Sequence, residues 1–380
     1  MSQPLIIASV GIEESPTYRL KGLSSAAHHS GKFWELIRNE RLRPPTNPDG
    51  SVTFSADLFR KLYNTCRVPG ESKDEIHSYF KTAKEGSCSS NIIVISRGRV
   101  FYFDYCDKDG NILSPQEILH AFTIIRDRIE NEDVEKGIPI LTCDERTGWA
   151  KNRKHLIELS KSNAELLEII ESAALTLNLD ENEPIDYSEV TAKALTGDYH
   201  SKWLDKASAM ISFKNGKIGC VAEHSCFDGT ISIAFSTYIL MSLMEEPEPD
   251  WEVEPIFKVI PKEIKFTIDD HLRSEIVRVE EFLSGIKDSV TIVCEQFDGY
   301  GKDLMKQYKV HPDCYVQMAL QLAYFKIHQK LAPTYETGTM RVYYHGRTET
   351  VRSCSIEVKE WIEKAYDDKT SVRNAIFNSN

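Results

Sequence analysis

Ala207-Ser208-Ala209-Met210-Ile211-Ser212-Phe213-Lys214-Asn215-Gly216-Lys217-Ile218-Gly219-Cys220-Val221-Ala222-Glu223-His224-Ser225-Cys226-Phe227-Asp228-Gly229 is the stretch whose reading decides the fold. Residues 207–213 read as a strand. Asn215-Gly216 is the strongest two-residue hairpin signal, so residues 217–223 read as the return strand. His224 stands at the end of that strand, and residues 229–244 read as a helix. A histidine at a strand-to-helix transition often faces a cleft.

Upstream, residues 92–95 and 100–105 are β-branched and aromatic runs around Arg97-Gly98 and read as a second hairpin. Ser114-Pro115-Gln116-Glu117 is a capping box with proline at the first helical position, opening a helix to about residue 132. Helical periodicity recurs over 149–159 and 164–175. The first 30 or so residues carry Ser/His/Gly clusters and no strong period. A short helix is expected at Phe33-Trp34-Glu35-Leu36-Ile37, ending near Pro44-Pro45, and another over 58–66. Downstream, Glu245-Glu246-Pro247-Glu248-Pro249-Asp250 is an acidic, proline-rich break, and residues 246–266 read as a linker. A strand (291–297), the glycine loop Gly299-Tyr300-Gly301-Lys302, a long helix (312–330), a mixed segment (334–352) and a helix (356–366) follow. Strands mixed with helices on both sides of the linker predict α/β architecture twice over.

Length and composition exclude several classes. The 380 residues suit two domains. With 46 Lys+Arg against 58 Asp+Glu the formal net charge is −12, which disfavours nucleic acid as a partner. The 5 Trp, 16 Tyr and 16 Phe need a core and exclude whole-chain disorder. The nine cysteines are scattered without a CxxC or CxxH pair, so the pattern points to reduced thiols in an intracellular compartment, not to a zinc or redox site. No signal peptide is read at the N-terminus. The longest uncharged apolar stretch, 229–244, is short of the roughly 18 residues of a membrane span.

Three groups of residues offer chemistry. His224 suits a general base, and Asp228 would share its face if the chain turned helical between them. The alternative is a structural histidine followed by an aspartate that caps the helix. Ser225 and Cys226 are poor nucleophile candidates, because neighbouring side chains diverge and neither shows a separate base. Lys302 and Lys306 lie i, i+4 beside a glycine loop and read either as a phosphate site or as a solvated basic face. GYGK lacks the P-loop spacing. Tyr335-Glu336-Thr337 and Gly346-Arg347-Thr348-Glu349-Thr350 are hydroxyl-rich and read as a polar loop or as a pocket for a small carboxylate. His28-His29 shows no third ligand, so no metal is expected. His311, before Pro312, reads as a helix start, and Val316, Leu320, Ala323 and Ile327 as a core stripe.

Taken together and in order, several stretches resemble the carnitine/choline acyltransferase family: Arg67-Val68-Pro69-Gly70; Leu141-Thr142-Cys143-Asp144-Glu145-Arg146-Thr147 with Trp149-Ala150-Lys151; Lys202-Trp203-Leu204-Asp205-Lys206; Glu223-His224-Ser225 with Asp228-Gly229; Asp313-Cys314-Tyr315-Val316-Gln317-Met318-Ala319-Leu320-Gln321-Leu322-Ala323-Tyr324; Thr334-Tyr335-Glu336; and His345-Gly346-Arg347-Thr348-Glu349-Thr350-Val351-Arg352-Ser353-Cys354. The resemblance covers residues 33–367. It implies two CoA-dependent-acyltransferase-like α/β domains, each a mixed sheet flanked by helices, with the active site in a tunnel between them. Residues 1–245 would carry the catalytic histidine, and residues 267–380 would be a partial CoA- and carnitine-binding domain.

By the same resemblance, His224 is the general base of H-x-x-x-D-G, with Asp228 its acidic member. Lys302, Lys306, Asp313 and Gly338 fall on CoA-binding positions. Tyr335, Thr337 and Thr348 fall on carnitine-binding positions. Thr348 and Thr350 together favour carnitine over choline. Transfer would be direct, without an acyl-enzyme. Acyl-CoA and L-carnitine would be the partners and CoA a co-substrate, with no bound cofactor and no metal. The wording looks most like the medium-chain, peroxisomal branch of the family, which implies a role in fatty acid metabolism, a monomer and a peroxisomal location, with cytoplasm or mitochondrial matrix as alternatives. Relatives continue past Arg352 with a Ser-Thr-Ser segment that binds the oxyanion and an arginine for the carnitine carboxylate, and they carry a longer N-terminal segment. The second domain is therefore expected to be incomplete. The competing reading is an inactive or unstable truncated chain with residual CoA binding. A generic α/β hydrolase is excluded by the lack of a GxSxG elbow.

Overall fold

The computed structural model describes residues 2–5, 18–131 and 136–367. Contacts divide the chain into two units, Met1–Ser51 with Ala56–Cys294, and Val52–Ser55 with Glu295–Asn380. The first unit holds β1 (Ser2–Leu5), α1 (Arg19–Arg38), β2 (Thr65–Val68), β3 (Glu75–Ser78), β4 (Asn91–Ser96), β5 (Arg99–Asp104), α2 (Pro115–Glu130), α3 (Arg146–Leu159), α4 (Lys161–Ser172), β6 (Leu175–Asp180), α5 (Tyr187–Thr196), β7 (Ser208–Phe213), β8 (Ile218–Glu223), α6 (Gly229–Glu245), β9 (Lys262–Ile264) and α7 (Asp270–Ser289). Seven of these strands form one mixed sheet in the order β1-β8-β7-β6-β4-β5-β9. Only β4, β6 and β7 run parallel to one another. The outer strands are added by the β4–β5 and β7–β8 hairpins and by antiparallel pairing of β1 and β9.

Alternation along the strands builds a core on each face of the sheet. Ile92 and Val94 of β4 and Leu175, Leu177 and Leu179 of β6 pack with α1, α2 and α6. Ile93 and Ile95 point the other way, into α3, α4 and α7. A smaller cluster joins α5 to Ile211, Phe213 and Val221. The expected mixed sheet flanked by helices is thus present in this unit.

Several expectations need correction. The helix expected over 164–175 ends at Ser172, and Leu175 instead opens the central strand β6, whose leucines alternate with Thr176, Asn178 and Asp180. The short helix expected at 33–37 is the end of the 20-residue α1. Its first half is rich in Ser, Gly and Ala, which hid the period. Those small residues are buried where α1 meets α2 and α6, so close packing overrides a weak local preference. A Cβ on Gly31 would meet Ile112 Cγ2 at 2.6 Å and the Tyr105 ring at 3.0 Å. Gly31→Ala is therefore expected to destabilise the chain by about 1–3 kcal/mol in chemical denaturation. Residues 58–66 are a 3-10 turn (Asp57–Lys61) followed by β2, which finds a partner in β3.

The two hairpins differ in their turns. Arg97 and Gly98 both have positive φ (48° and 80°), the pattern of a two-residue type I′ turn. The second hairpin uses three residues, Lys214-Asn215-Gly216, because Phe213 N–H donates to the Lys217 carbonyl and Gly216 alone takes positive φ (90°). The capping box at α2 is complete: Ser114 Oγ accepts from Glu117 N–H, and the Glu117 carboxylate accepts from Ser114 N–H at 2.8 Å. The segment 246–266 is not a free linker. It supplies β9, paired to β5, and α7 then buries Leu272, Ile276 and Val279 in the same unit, so the division falls at Cys294.

The carboxyl ends of the central strands are tied by ion pairs. Arg19 donates to the Asp180 and Ser212 carbonyls at 3.0 and 3.1 Å, and to Glu181 at 3.0 Å. Arg97 reaches the other oxygen of Glu181 at 3.0 Å.

The second unit holds α8 (Lys302–Gln307), α9 (Pro312–His328), β10 (Tyr335–Thr339), β11 (Thr348–Arg352) and α10 (Ile356–Asp367). The strand expected over 291–297 is absent. A strand needs a partner, and in this unit β10 and β11 pair only with each other among the described residues. The stripe expected to be core is not core. Val316, Leu320 and Ile327 are 47%, 59% and 75% exposed, and Ala323 is exposed too. The α9 helix touches α8 and α10, and two short helices cannot cover every face of a 17-residue helix. His311 does sit at the start of α9, with Pro312 at its first position.

Candidate functional site

His224 is placed where the sequence puts it. Glu223 ends β8, His224, Ser225 and Cys226 form a turn, and α6 begins at Gly229. His224 is half-buried and Ser225 exposed, while Cys226 and Phe227 are buried and anchor the far side of the turn in the α1–α2–α6 core. The chain does not turn helical between His224 and Asp228, so the i, i+4 argument for a shared face does not hold. Asp228 occupies the N-cap position of α6 in extended backbone and is 7% exposed, but its side chain makes no cap bond, so the capping alternative fails as well.

Neither neighbour is set up as a nucleophile. The Ser225 hydroxyl donates to Glu223 Oε1 at 2.6 Å, and Cys226 is fully buried. All nine cysteines are free thiols.

Behind this turn lies a line of alternating charges that the sequence reading assigned to no role. Glu223 Oε1 accepts from Ser225 N–H at 2.9 Å and from Arg67 Nη1 at 3.3 Å. Arg67 Nε donates to Asp74 Oδ2 at 2.7 Å, and Arg146 Nε shares that oxygen at 2.7 Å. Arg146 Nη1 then reaches Asp205 Oδ1 at 2.5 Å, whose other oxygen accepts from Trp149 Nε1 at 2.7 Å. Burial pushes the Asp205 carboxyl up to about 6, against the opposing pull of Arg146 and Trp149. Burial also raises Asp74, but its bonds from Gly70 N–H, Arg146 and Arg67 outweigh that and hold its carboxyl below the ordinary value. Close by, Lys206 donates to the Glu171 and Ala173 carbonyls at 2.8 and 2.7 Å, closing the end of α4, and burial lowers its ammonium to about 8. The signal available in the sequence was charge in apolar company: Glu223 ends a run otherwise made of Ile, Gly, Cys, Val and Ala.

The other candidates fall in the second unit. Lys302 and Lys306 are on the exposed surface of α8, one turn apart, and Asp313 lies in the first turn of α9. The ribbon β10–β11 gathers the hydroxyls. Its register sets Thr337 opposite Thr350, Thr339 opposite Thr348 and Tyr335 opposite Arg352. Directly paired residues share a face, so Tyr335, Thr337, Thr348 and Thr350 all lie on one exposed side of the ribbon. Gly338 lies on the opposite face, where a Cβ would meet Val351 Cγ2 at 3.1 Å.

His28 and His29 take no part in this. His28 Nδ1 is 2.7 Å from the Leu113 carbonyl, and His29 lies 3.9 Å from Glu246. Burial lowers both imidazoles. They line a cavity of about 500 Å³ with Lys21, Trp251 and Leu243. It sits by the end of α6, a helix about 25 Å long at 1.5 Å per residue, whose other end follows the His224 turn. Among the described residues, no three His, Cys, Asp or Glu side chains could hold a metal ion, and no helix is long and apolar enough to cross a membrane.

A mixed α/β sheet whose last hairpin strand runs on into H-x-x-x-D-G agrees with the match of residues 4–378 to the Choline/Carnitine o-acyltransferase family, and the chain belongs to that family. Among its relatives are the peroxisomal carnitine O-octanoyltransferases of mouse and human, each 36% identical, over 90% and 91% of this chain. The human carnitine O-acetyltransferase is 28% identical over 89% of it, and the human mitochondrial carnitine O-palmitoyltransferase 2 is 30% identical over 80%. The chain spans about half the length of the curated relatives it matches, 56% in the mouse enzyme.

Proposed function

We propose that this chain carries the acyl-transfer machinery of a carnitine O-acyltransferase acting on medium-chain acyl-CoA, with His224 as general base. The observation that carries the reading is the seat of His224: half-buried, at the end of a buried strand, with its flanking turn pinned on both sides. An imidazole so held is placed to act as a general base.

In the forward direction the imidazole accepts the proton of the carnitine hydroxyl. The hydroxyl oxygen attacks the thioester carbonyl, and the C–O bond forms as the carbonyl electrons move to oxygen. On collapse the C–S bond breaks, and the leaving CoA sulfur takes the proton back from the imidazolium. No acyl-enzyme is formed, in keeping with the engaged Ser225 hydroxyl and the buried Cys226. Lys302 and Lys306 bind the phosphates of CoA, with Asp313 and Gly338 as further CoA contacts. Tyr335, Thr337 and Thr348 bind the carnitine carboxylate through hydroxyls that share one face of the ribbon. The 36% identity to enzymes named for octanoyl transfer supports the medium-chain and peroxisomal readings.

The test is release of free thiol from octanoyl-CoA, with and without L-carnitine, followed by a thiol reagent. Carnitine-dependent release, faster with octanoyl-CoA than with acetyl- or palmitoyl-CoA, is the expected result. Binding of CoA without release supports the competing reading of a CoA-binding chain without turnover. Each charge-assisted contact to phosphate contributes about 1.5–3 kcal/mol. Lys302→Ala or Lys306→Ala is therefore expected to weaken CoA binding about 10–100-fold, read by calorimetry, and an unchanged affinity removes these lysines from the site.

A further inference from the structure

The line of charges behind the His224 turn ends on a single atom. Glu223 Oε1 accepts three hydrogen bonds: from Ser225 N–H (2.9 Å), from the Ser225 hydroxyl (2.6 Å) and from Arg67 (3.3 Å). Two of the three come from the residue on the far side of His224. The Glu223 carboxylate is itself 5% exposed, so it meets these donors largely withdrawn from water. The backbone is fixed by two further bonds, Glu223 N–H to the Ala207 carbonyl (3.0 Å) and Cys226 N–H to the Glu223 carbonyl (3.2 Å). His224 is thus carried by a ring of bonds that closes through one carboxylate.

Arg67 is itself held from two directions. Its N–H donates to the Asp205 carbonyl at 2.8 Å, and its Nε to Asp74. The first bond pins the backbone of Arg67, and the second holds its guanidinium beside Glu223, which Nη1 reaches at 3.3 Å.

We propose that Glu223, oriented by Arg67, is the positioning residue of His224: it bridges over the histidine to Ser225 and fixes the direction of the imidazole. The proposal rests on the reading of His224 as the base. A purely structural ion pair would affect stability alone. A positioning role predicts a loss of rate with intact folding and binding, because a misplacement of about 1 Å costs on the order of 10²-fold in rate.

Three variants separate the cases. Glu223→Ala removes the acceptor, and kcat is expected to fall about 10–100-fold with KM for octanoyl-CoA and carnitine within about twofold. Glu223→Gln keeps an oxygen that can accept both Ser225 bonds and is expected to recover most of the rate. Arg67→Met leaves Glu223 in place but unaimed and should fall between them. Equal kcat in Glu223→Ala and the unaltered chain overturns the proposal, as does a change confined to KM. If His224→Ala keeps its rate, the reading of His224 as the base fails. If His224→Ala is inactive and Glu223→Ala is not, only the present proposal fails.

A second measurement does not depend on turnover. The ¹⁵N imidazole signals of His224, assigned by their loss in His224→Gln, are expected as one set in the unaltered chain and in Glu223→Gln. In Glu223→Ala they should move and broaden or split. Unmoved imidazole signals in a folded Glu223→Ala chain overturn the proposal, and where Glu223→Ala does not fold, Arg67→Met and Glu223→Gln carry the same comparison.

Discussion

Replacing His224 by alanine is expected to lower carnitine-dependent CoA release by about 10²–10⁴-fold, the range over which a positioned acid–base group contributes. Folding should be spared. The imidazole is half-buried on a turn, and the strand before it and the helix after it are held by bonds that do not use its side chain. The thermal midpoint should therefore stay close to that of the unaltered chain while the rate collapses. Thiol release and circular dichroism measured on the same preparation check both halves. Retention of more than about a tenth of the rate would remove His224 from the role of base, whatever the fold did.

The largest stability effect is expected away from the reacting groups, at Asp205. Its carboxylate is 3% exposed and takes Arg146 on one oxygen and Trp149 on the other. Asp205→Ala leaves Arg146 paired through Asp74 alone and strands the buried indole N–H. Breaking a buried pair from one side costs about 3–5 kcal/mol. Asp205→Asn keeps an acceptor for Trp149 and should lose less.

The pH dependence of that comparison has a definite sign. The Asp205 carboxyl titrates near 6 in the fold against an ordinary value of 3.8. The folded state then binds its proton more tightly than the unfolded state does. The contribution of this group to stability is complete below about 4 and is lost as pH rises through about 6. The stability gap between the unaltered chain and Asp205→Asn should accordingly narrow from pH 4.5 to 7.5 in urea denaturation. A gap that widens would mean that Arg146 stabilises the ionised form by more than burial disfavours it.

Much of this fold is legible in the sequence where local chemistry decides the outcome. The Arg97-Gly98 turn, the Ser114–Glu117 capping box and the strand–His224–helix passage each follow from residues within a few positions of one another. The strand β6 is not legible locally, because a helical period runs up to Ser172 and continues in phase with Leu175. Only pairing with β4 and β7 makes that segment a strand. The α1 helix was cut short for a related reason: its buried Ser, Gly and Ala are explained by neighbours that are distant in sequence.

The site divides in the same way. His224 could be singled out from its own strand, and the hydroxyls of Tyr335, Thr337 and Thr348 from their clustering. The carboxylate that braces His224 could not, because the arginine that aims it stands at position 67 and belongs to a line of charges through positions 74, 146 and 205, which only the fold makes neighbours.

The direction of β8 has one more consequence. Open parallel sheets commonly receive ligands beyond the carboxyl ends of their strands, where helix starts and loop amides form an anion cradle. Here that rim, beyond β4, β6 and β7, carries an ion-pair cluster: Glu181 pairs with Arg19 and Arg97, and Arg19 also donates to two carbonyls. Because β8 runs back against β7, its last residue emerges at the opposite rim, beside Ala207. The strand that leads into His224 thus opens at the rim opposite to the one that nucleotide-binding folds use.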